Sequence, residues 1–122
     1  MIQIDLTIHT DSVRKILCGF IHSEITRIGL QRAVIGLSGG IDSALSAYLA
    51  VDALGAENVL AVCMPYHTSA PESQVHAQLV IEHLKIPSVI IPITEMVDPL
   101  FQRDSQMSQT RRGNIMARTR MI

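Results

Sequence analysis

Tryptophan is absent from these 122 residues, and two tyrosines and two phenylalanines are the only aromatic side chains. Nucleobase stacking has little to build on in such a chain. A charge excess is missing too. Ten Lys and Arg stand against eleven Asp and Glu, a net charge of −1, so no electrostatic preference for nucleic acid or a membrane surface is implied. Arg111, Arg112, Arg118 and Arg120 gather near the C-terminal end, but no aromatics interleave with them and nucleic-acid binding is not expected. Arg111, Arg112 and Arg120 read as a solvated helix face. Cysteine is limited to Cys18 and Cys63, each alone in an apolar run. This is the pattern of buried thiols in a reducing compartment, not of a disulfide framework. No apolar run approaches membrane-spanning length. The start, Met1-Ile2-Gln3-Ile4-Asp5, lacks the basic-then-apolar order of a secretory leader, so the expected location is cytoplasmic. His9, His22, His67, His76 and His83 show no metal-ligand spacing. No Ser-His-Asp or Cys-His arrangement is evident, and no nucleophilic catalytic side chain is expected.

What the chain does contain is apolar bulk, 48% of its residues, enough for the core of one small domain. Asp11 or Ser12 can cap a helix whose Val13, Ile16, Leu17, Phe20, Ile21, Ile25 and Ile28 recur at three- and four-residue spacing, with Gly29 at its end. Ala33 to Leu37 reads as a buried strand, Asp42 to Leu54 as a helix closed by Gly55, and Val59 to Met64 as a strand covered on both faces. After a loop from Pro65 to Pro71 comes a helix, Glu72 to Leu84, with Val75, Leu79, Val80 and Leu84 on the expected buried side. Val89 to Ile91 is a third strand. Arg103 to Thr110 is polar and reads as a linker. Strands alternating with helices predict an α/β fold, three-layer, a parallel sheet with Rossmann-like right-handed crossovers. Ligands of such sheets sit beyond the carboxyl ends of the strands. Residues 38–43, 64–66 and 92–96 would therefore share one edge.

The first of these segments carries the most information. Gly36-Leu37-Ser38-Gly39-Gly40-Ile41-Asp42-Ser43 breaks an apolar strand with two glycines and starts a helix at once. Glycine takes backbone angles that other residues avoid and leaves no side chain between backbone and ligand. The N–H groups of such a turn and of the first helical turn attract an anion, most often phosphate. Ser38 and Ser43 add hydroxyls. Asp42 adds a carboxylate, which sits beside a phosphate nest most sensibly with a cation between them and so points to Mg²⁺. A strand–helix corner built only for packing needs neither the hydroxyls nor the acid. No Lys follows the last glycine, which excludes a Walker A loop, and the third glycine of a dinucleotide fingerprint is missing.

This segment resembles the phosphate-binding loop of the ATP pyrophosphatases, the PP-loop superfamily with the adenine nucleotide alpha-hydrolase-like fold. Two further stretches narrow the resemblance. Met64-Pro65-Tyr66-His67-Thr68-Ser69-Ala70-Pro71-Glu72-Ser73 is similar to the loop after the second strand of NAD synthetases, with His67 where relatives often carry Arg. Arg112-Gly113-Asn114-Ile115-Met116-Ala117-Arg118-Thr119-Arg120-Met121 is similar to their deamido-NAD-binding helix. The resemblance runs from about Val34 to Ile122 and implies the N-terminal half of an NAD synthetase of the ammonia-dependent type, since no glutaminase domain precedes the loop. It implies that Gly36, Leu37, Ser38, Gly39, Gly40, Ile41, Asp42 and Ser43 bind ATP, with Asp42 holding Mg²⁺ and the backbone near Met64 meeting adenine. Asn114 and Arg118 would contact deamido-NAD. The implied reaction is ATP-dependent amidation of deamido-NAD to NAD through an adenylated intermediate, releasing AMP and pyrophosphate, with ammonia (or glutamine-derived ammonia) as nitrogen donor. The runners-up are another ATP pyrophosphatase, GMP synthetase-like or tRNA-modifying, and a non-catalytic nucleotide-binding or dimerising fragment. Residues 1–122 are expected to form one ATP pyrophosphatase domain truncated at its C-terminal end, because Arg118-Thr119-Arg120-Met121-Ile122 holds no helix-ending Gly, Asn or Pro. The apolar Ile115, Met116, Met121 and Ile122 imply a helix that wants a partner, hence a homodimer.

Overall fold

Three short parallel strands form the sheet, β1 (Ala33–Gly36), β2 (Val59–Cys63) and β3 (Ser88–Ile90), in the order β1-β2-β3. The computed structural model describes all 122 residues. The chain starts with α1 (Thr10–Arg27); α2 (Ile41–Leu54) links β1 to β2 and α3 (Pro71–Leu84) links β2 to β3. Two more helices follow, α4 (Thr94–Arg103) and α5 (Gln109–Thr119). Parallel strands need such crossovers, and right-handedness sends successive ones to the same face when the sheet grows in one direction. Pairing of Ile35 with Ala61 and of Cys63 with Ile90 fixes the register. No helix is long and apolar enough to cross a membrane.

Small residues let the helices approach the sheet. Ile35, Val59, Ala61 and Cys63 of the strands meet Ala47 and Ala50 of α2 and Ala77 and Ile81 of α3 in one core cluster. Strand side chains alternate between faces, so Val34, one residue out of phase with Ile35, points away from this cluster and is 68% exposed. The expected burial of the first strand therefore holds on one face only. β2, central and paired on both sides, is buried at four of its five residues. Cys18 and Cys63 are both free thiols, and burial pushes the Cys63 thiol above its usual range.

Several local expectations are corrected. His9, not Asp11 or Ser12, takes the N-cap of α1, its ring accepting from the Ser12 N–H. No α1 residue is fully buried, and Ile16 and Phe20 stay largely exposed. In α3 the deep positions are Ala77 and Ile81, with Val80 and Leu84 partly buried and Val75 and Leu79 turned outward. α4 is not among the expected elements: it runs from the segment after β3 into the first residue of the expected linker, Arg103, and Pro99 lies inside it. Its hold on the fold comes from Ile93, Val97 and Phe101, spaced four apart and all buried. The linker shrinks to residues 104–108, and the Ser108 hydroxyl caps α5 by accepting from the Arg111 N–H at 3.2 Å.

Candidate functional site

β1 ends at Gly36, and the Leu37 N–H still donates to the Val62 carbonyl at 2.9 Å. The chain then turns at once into α2. Gly39 makes the turn at φ +84°, where side chains are disfavoured. A Cβ there would also lie 2.2 Å from the Ser73 carbonyl oxygen at the start of α3. Gly40 is different. Its φ of −82° is open to any residue, and it serves as the N-cap of α2 without a capping side chain. One of the two glycines is therefore demanded by backbone geometry, and the other keeps the helix terminus bare.

The loop hydroxyls hold its shape. Ser43 Oγ accepts from the Ser38 N–H at 3.2 Å and donates to the Gly40 carbonyl at 3.1 Å. Ser38 Oγ accepts from the Gly40 N–H at 3.2 Å. These bonds engage two of the loop's amides and leave the N–H groups of Gly39, Ile41, Asp42 and Ser43 without any acceptor in the chain. An exposed helix start with four free donors has the geometry and the dipole direction that favour an anion. Asp42, in the first turn, is exposed, and its carboxylate takes part in no ion pair or hydrogen bond.

Beside the loop, a cleft of about 430 Å³ opens at the carboxyl edge of the sheet, bounded by Gly36, Leu37 and Ser38 at the end of β1, Cys63, Met64 and Pro65 at the end of β2, the entry and first turns of α3, and Arg120. The ends of β1 and β2 thus meet as expected; Gly39 to Ser43 follow Ser38 in the chain and are not part of this lining, although Gly39 packs against Ser73, which is. Asn114 and Arg118 lie outside this lining, on the exposed face of α5. Two arginines read as solvated are instead engaged. Arg120 donates from Nε to the Met64 carbonyl at 2.9 Å. The Arg112 guanidinium sits 5.1 Å from the centre of the Phe101 ring, and its Nε is buried. Arg112, Met116 and Arg120 recur every four residues and so share one helix face, a signal present in the sequence but masked by the charges.

The loop after β2 is tied down on its far side as well. The Tyr66 hydroxyl donates to Asp98 Oδ1 at 2.6 Å, the His67 N–H to Thr94 Oγ1 at 3.1 Å, and the Ile93 N–H to the Pro65 carbonyl at 2.9 Å. The carboxylate of Asp98 accepts from the neutral phenol and disfavours a second negative charge, which raises the Tyr66 phenol above the usual tyrosine range.

The sequence profile of the NAD synthase family matches residues 13–122. The chain belongs to the NAD synthase family. Within it, the NH(3)-dependent NAD(+) synthetase of Trichlorobacter lovleyi is 53% identical over 116 residues, covering 95% of this chain and 42% of that protein. The chain therefore spans less than half the length of that curated relative. Among solved structures, the NH3-dependent NAD synthetase of Campylobacter jejuni superposes with a TM-score of 0.86 at 33% identity, over 94% of this chain and 50% of that one. The glutamine-dependent NAD+ synthetase of Acinetobacter baumannii, solved in complex with ADP, gives a TM-score of 0.84 at 28% identity, over 97% of this chain and 23% of that one. A parallel sheet with flanking helices is thus common to this chain and the Campylobacter jejuni protein.

Proposed function

We propose that the enzyme containing this chain makes NAD by amidating deamido-NAD with ATP and ammonia, releasing AMP and pyrophosphate. The observation that carries this reading is the set of four unengaged N–H groups at the start of α2, with one unpartnered carboxylate, directly after the cleft-lining Ser38. The family membership selects the acceptor.

A carboxylate does not react with ammonia, because its oxygen is too poor a leaving group. In the first step the nicotinate carboxylate oxygen attacks the α-phosphorus of ATP. The bond from that phosphorus to the bridging oxygen breaks, and its electron pair leaves with pyrophosphate. Ammonia then adds to the acyl carbon and loses a proton, and AMP departs with the carboxyl oxygen. The first step brings two anions together, so the site must offset charge and align the groups. The free amides of Gly39, Ile41, Asp42 and Ser43 would hold the departing pyrophosphate, and the Met64 backbone would meet the adenine. The donor set fits Mg²⁺: no cluster of three metal-binding side chains exists, but magnesium is commonly held by one or two carboxylates together with substrate phosphates. Asp42 would be that carboxylate here, and bound Mg²⁺ would supply charge neutralisation. Asn114 and Arg118, on the outer face of α5, would face deamido-NAD, where a planar guanidinium suits an anionic group. A cytoplasmic homodimer is part of the same reading.

The test is stoichiometry in the full-length enzyme. With deamido-NAD, ammonium and MgATP, NAD, AMP and pyrophosphate should accumulate in equal amounts. Release of AMP with xanthylate or tRNA, and none with deamido-NAD, would transfer the chain to another ATP pyrophosphatase activity.

A further inference from the structure

Arg120 reaches across 56 residues of sequence to hold one carbonyl, and that carbonyl is the one the fold leaves open. At the end of β2, the Cys63 carbonyl accepts from the Ile91 N–H and the Pro65 carbonyl from the Ile93 N–H. The Met64 carbonyl between them receives no backbone donor. Its only partner is Arg120 Nε, at 2.9 Å. The Met64 N–H makes no hydrogen bond at all within the chain. Both Met64 and Arg120 line the cleft beside the phosphate loop.

We propose that Arg120 is a positioning residue that fixes the Met64 backbone for recognition of the nucleotide base. This rests on the nucleotide reading given above and adds a residue to it. A carbonyl has two lone pairs; Arg120 takes one, which sets the orientation of the peptide after Met64 and leaves the other for a ligand donor. Together with the free Met64 N–H, this gives one donor and one acceptor on a single residue. That pair complements the N1 acceptor and amino donor of a 6-aminopurine, and a 6-oxopurine presents the reverse order. Arg120 itself does not have to touch the base. The bond also joins α5, the helix of Asn114 and Arg118, to the wall of the nucleotide cleft.

The experiment compares full-length wild-type enzyme with Arg120→Ala and Arg120→Lys, using titration calorimetry with ATP and separately with pyrophosphate, which meets only the phosphate loop. Arg120→Ala should weaken ATP about tenfold, the effect of losing one well-placed hydrogen bond, and leave pyrophosphate within about twofold. Lysine, which can also donate to a carbonyl, should recover most of the ATP affinity. In turnover, KM for ATP should rise in Arg120→Ala with kcat nearly unchanged, the mark of lost uniform binding. Equal ATP affinity in wild type and Arg120→Ala would overturn the proposal, as would a parallel loss of ATP and pyrophosphate, which signals general damage to the fold. Failure of the wild-type enzyme to bind either ligand would instead overturn the nucleotide reading and take this proposal with it.

Discussion

Gly39→Ala should destabilise the protein by about 3 kcal/mol or more and remove pyrophosphate binding with it. Two independent penalties act at this position. The left-handed backbone costs a non-glycine residue about 1–2 kcal/mol, and φ here is +84°. The added methyl would then stand 2.2 Å from the Ser73 carbonyl oxygen and 2.7 Å from Ser73 Cα. Both are backbone atoms of the first turn of α3, so no side-chain rotation relieves the overlap. Either the loop opens or α3 shifts, and α3 contributes Ala77 and Ile81 to the core. Gly40→Ala is the control. Its φ is −82°, and the nearest atom to an added Cβ is Ser38 Oγ at 3.3 Å. The expected cost there is about 1 kcal/mol, from a poorer N-cap. Thermal or urea unfolding of the two variants checks the contrast. Similar stability of the two would mean that the loop does not take this shape.

Asp42→Asn should do the opposite, leaving the fold and removing the chemistry. The carboxylate has no partner among the side chains or backbone N–H groups. Its structural value is limited to its place in the first turn of a helix, worth up to about 1 kcal/mol. Loss of a metal's charge stabilisation amounts to several kcal/mol of barrier, so turnover of the full enzyme should fall by at least about 100-fold. The activation of the wild-type enzyme by added Mg²⁺ should flatten in parallel. Steady-state rates across a magnesium titration, with unfolding curves beside them, test both halves. Activity within about threefold of wild type would show that Asp42 serves only the helix terminus.

How far these residues could be read from sequence depends on the kind of signal each carries. The turn from β1 into α2 is legible because glycines, hydroxyls and an acid cluster within a few positions and report a purely local geometry. β2 is legible because a central parallel strand, buried on both faces, is apolar throughout. Elements that owe their place to distant contacts are harder to read. Counting large apolar side chains put Val75 and Leu79 on the inner face of α3, but a helix lying close to a sheet needs small residues there. Ala77, at 2% exposure, takes that place. α4 escaped notice because Pro99 reads as a breaker, and because its buried residues Ile93, Val97 and Phe101 are few and four apart. On α5, charge outweighed periodicity. Arg112 and Arg120 belong to the same face as Met116, and their long apolar stems let them lie partly buried with the guanidinium groups on Phe101 and on the Met64 carbonyl. The family pattern drew attention to Asn114 and Arg118, which are exposed. The inward-facing arginines of that helix become visible only once α5 is placed against the end of β2.

The whole account depends on the amides of Gly39, Ile41, Asp42 and Ser43 being free to receive phosphate. Backbone ¹H–¹⁵N spectra of the full enzyme, recorded while pyrophosphate is added, test this at single residues. The account predicts that the resonances of Gly39, Ile41, Asp42 and Ser43 move together and saturate with one affinity, while those of Ser38 and Gly40, already bonded to serine hydroxyls, move less. Saturable binding that leaves these four amides unmoved and shifts resonances elsewhere would contradict it.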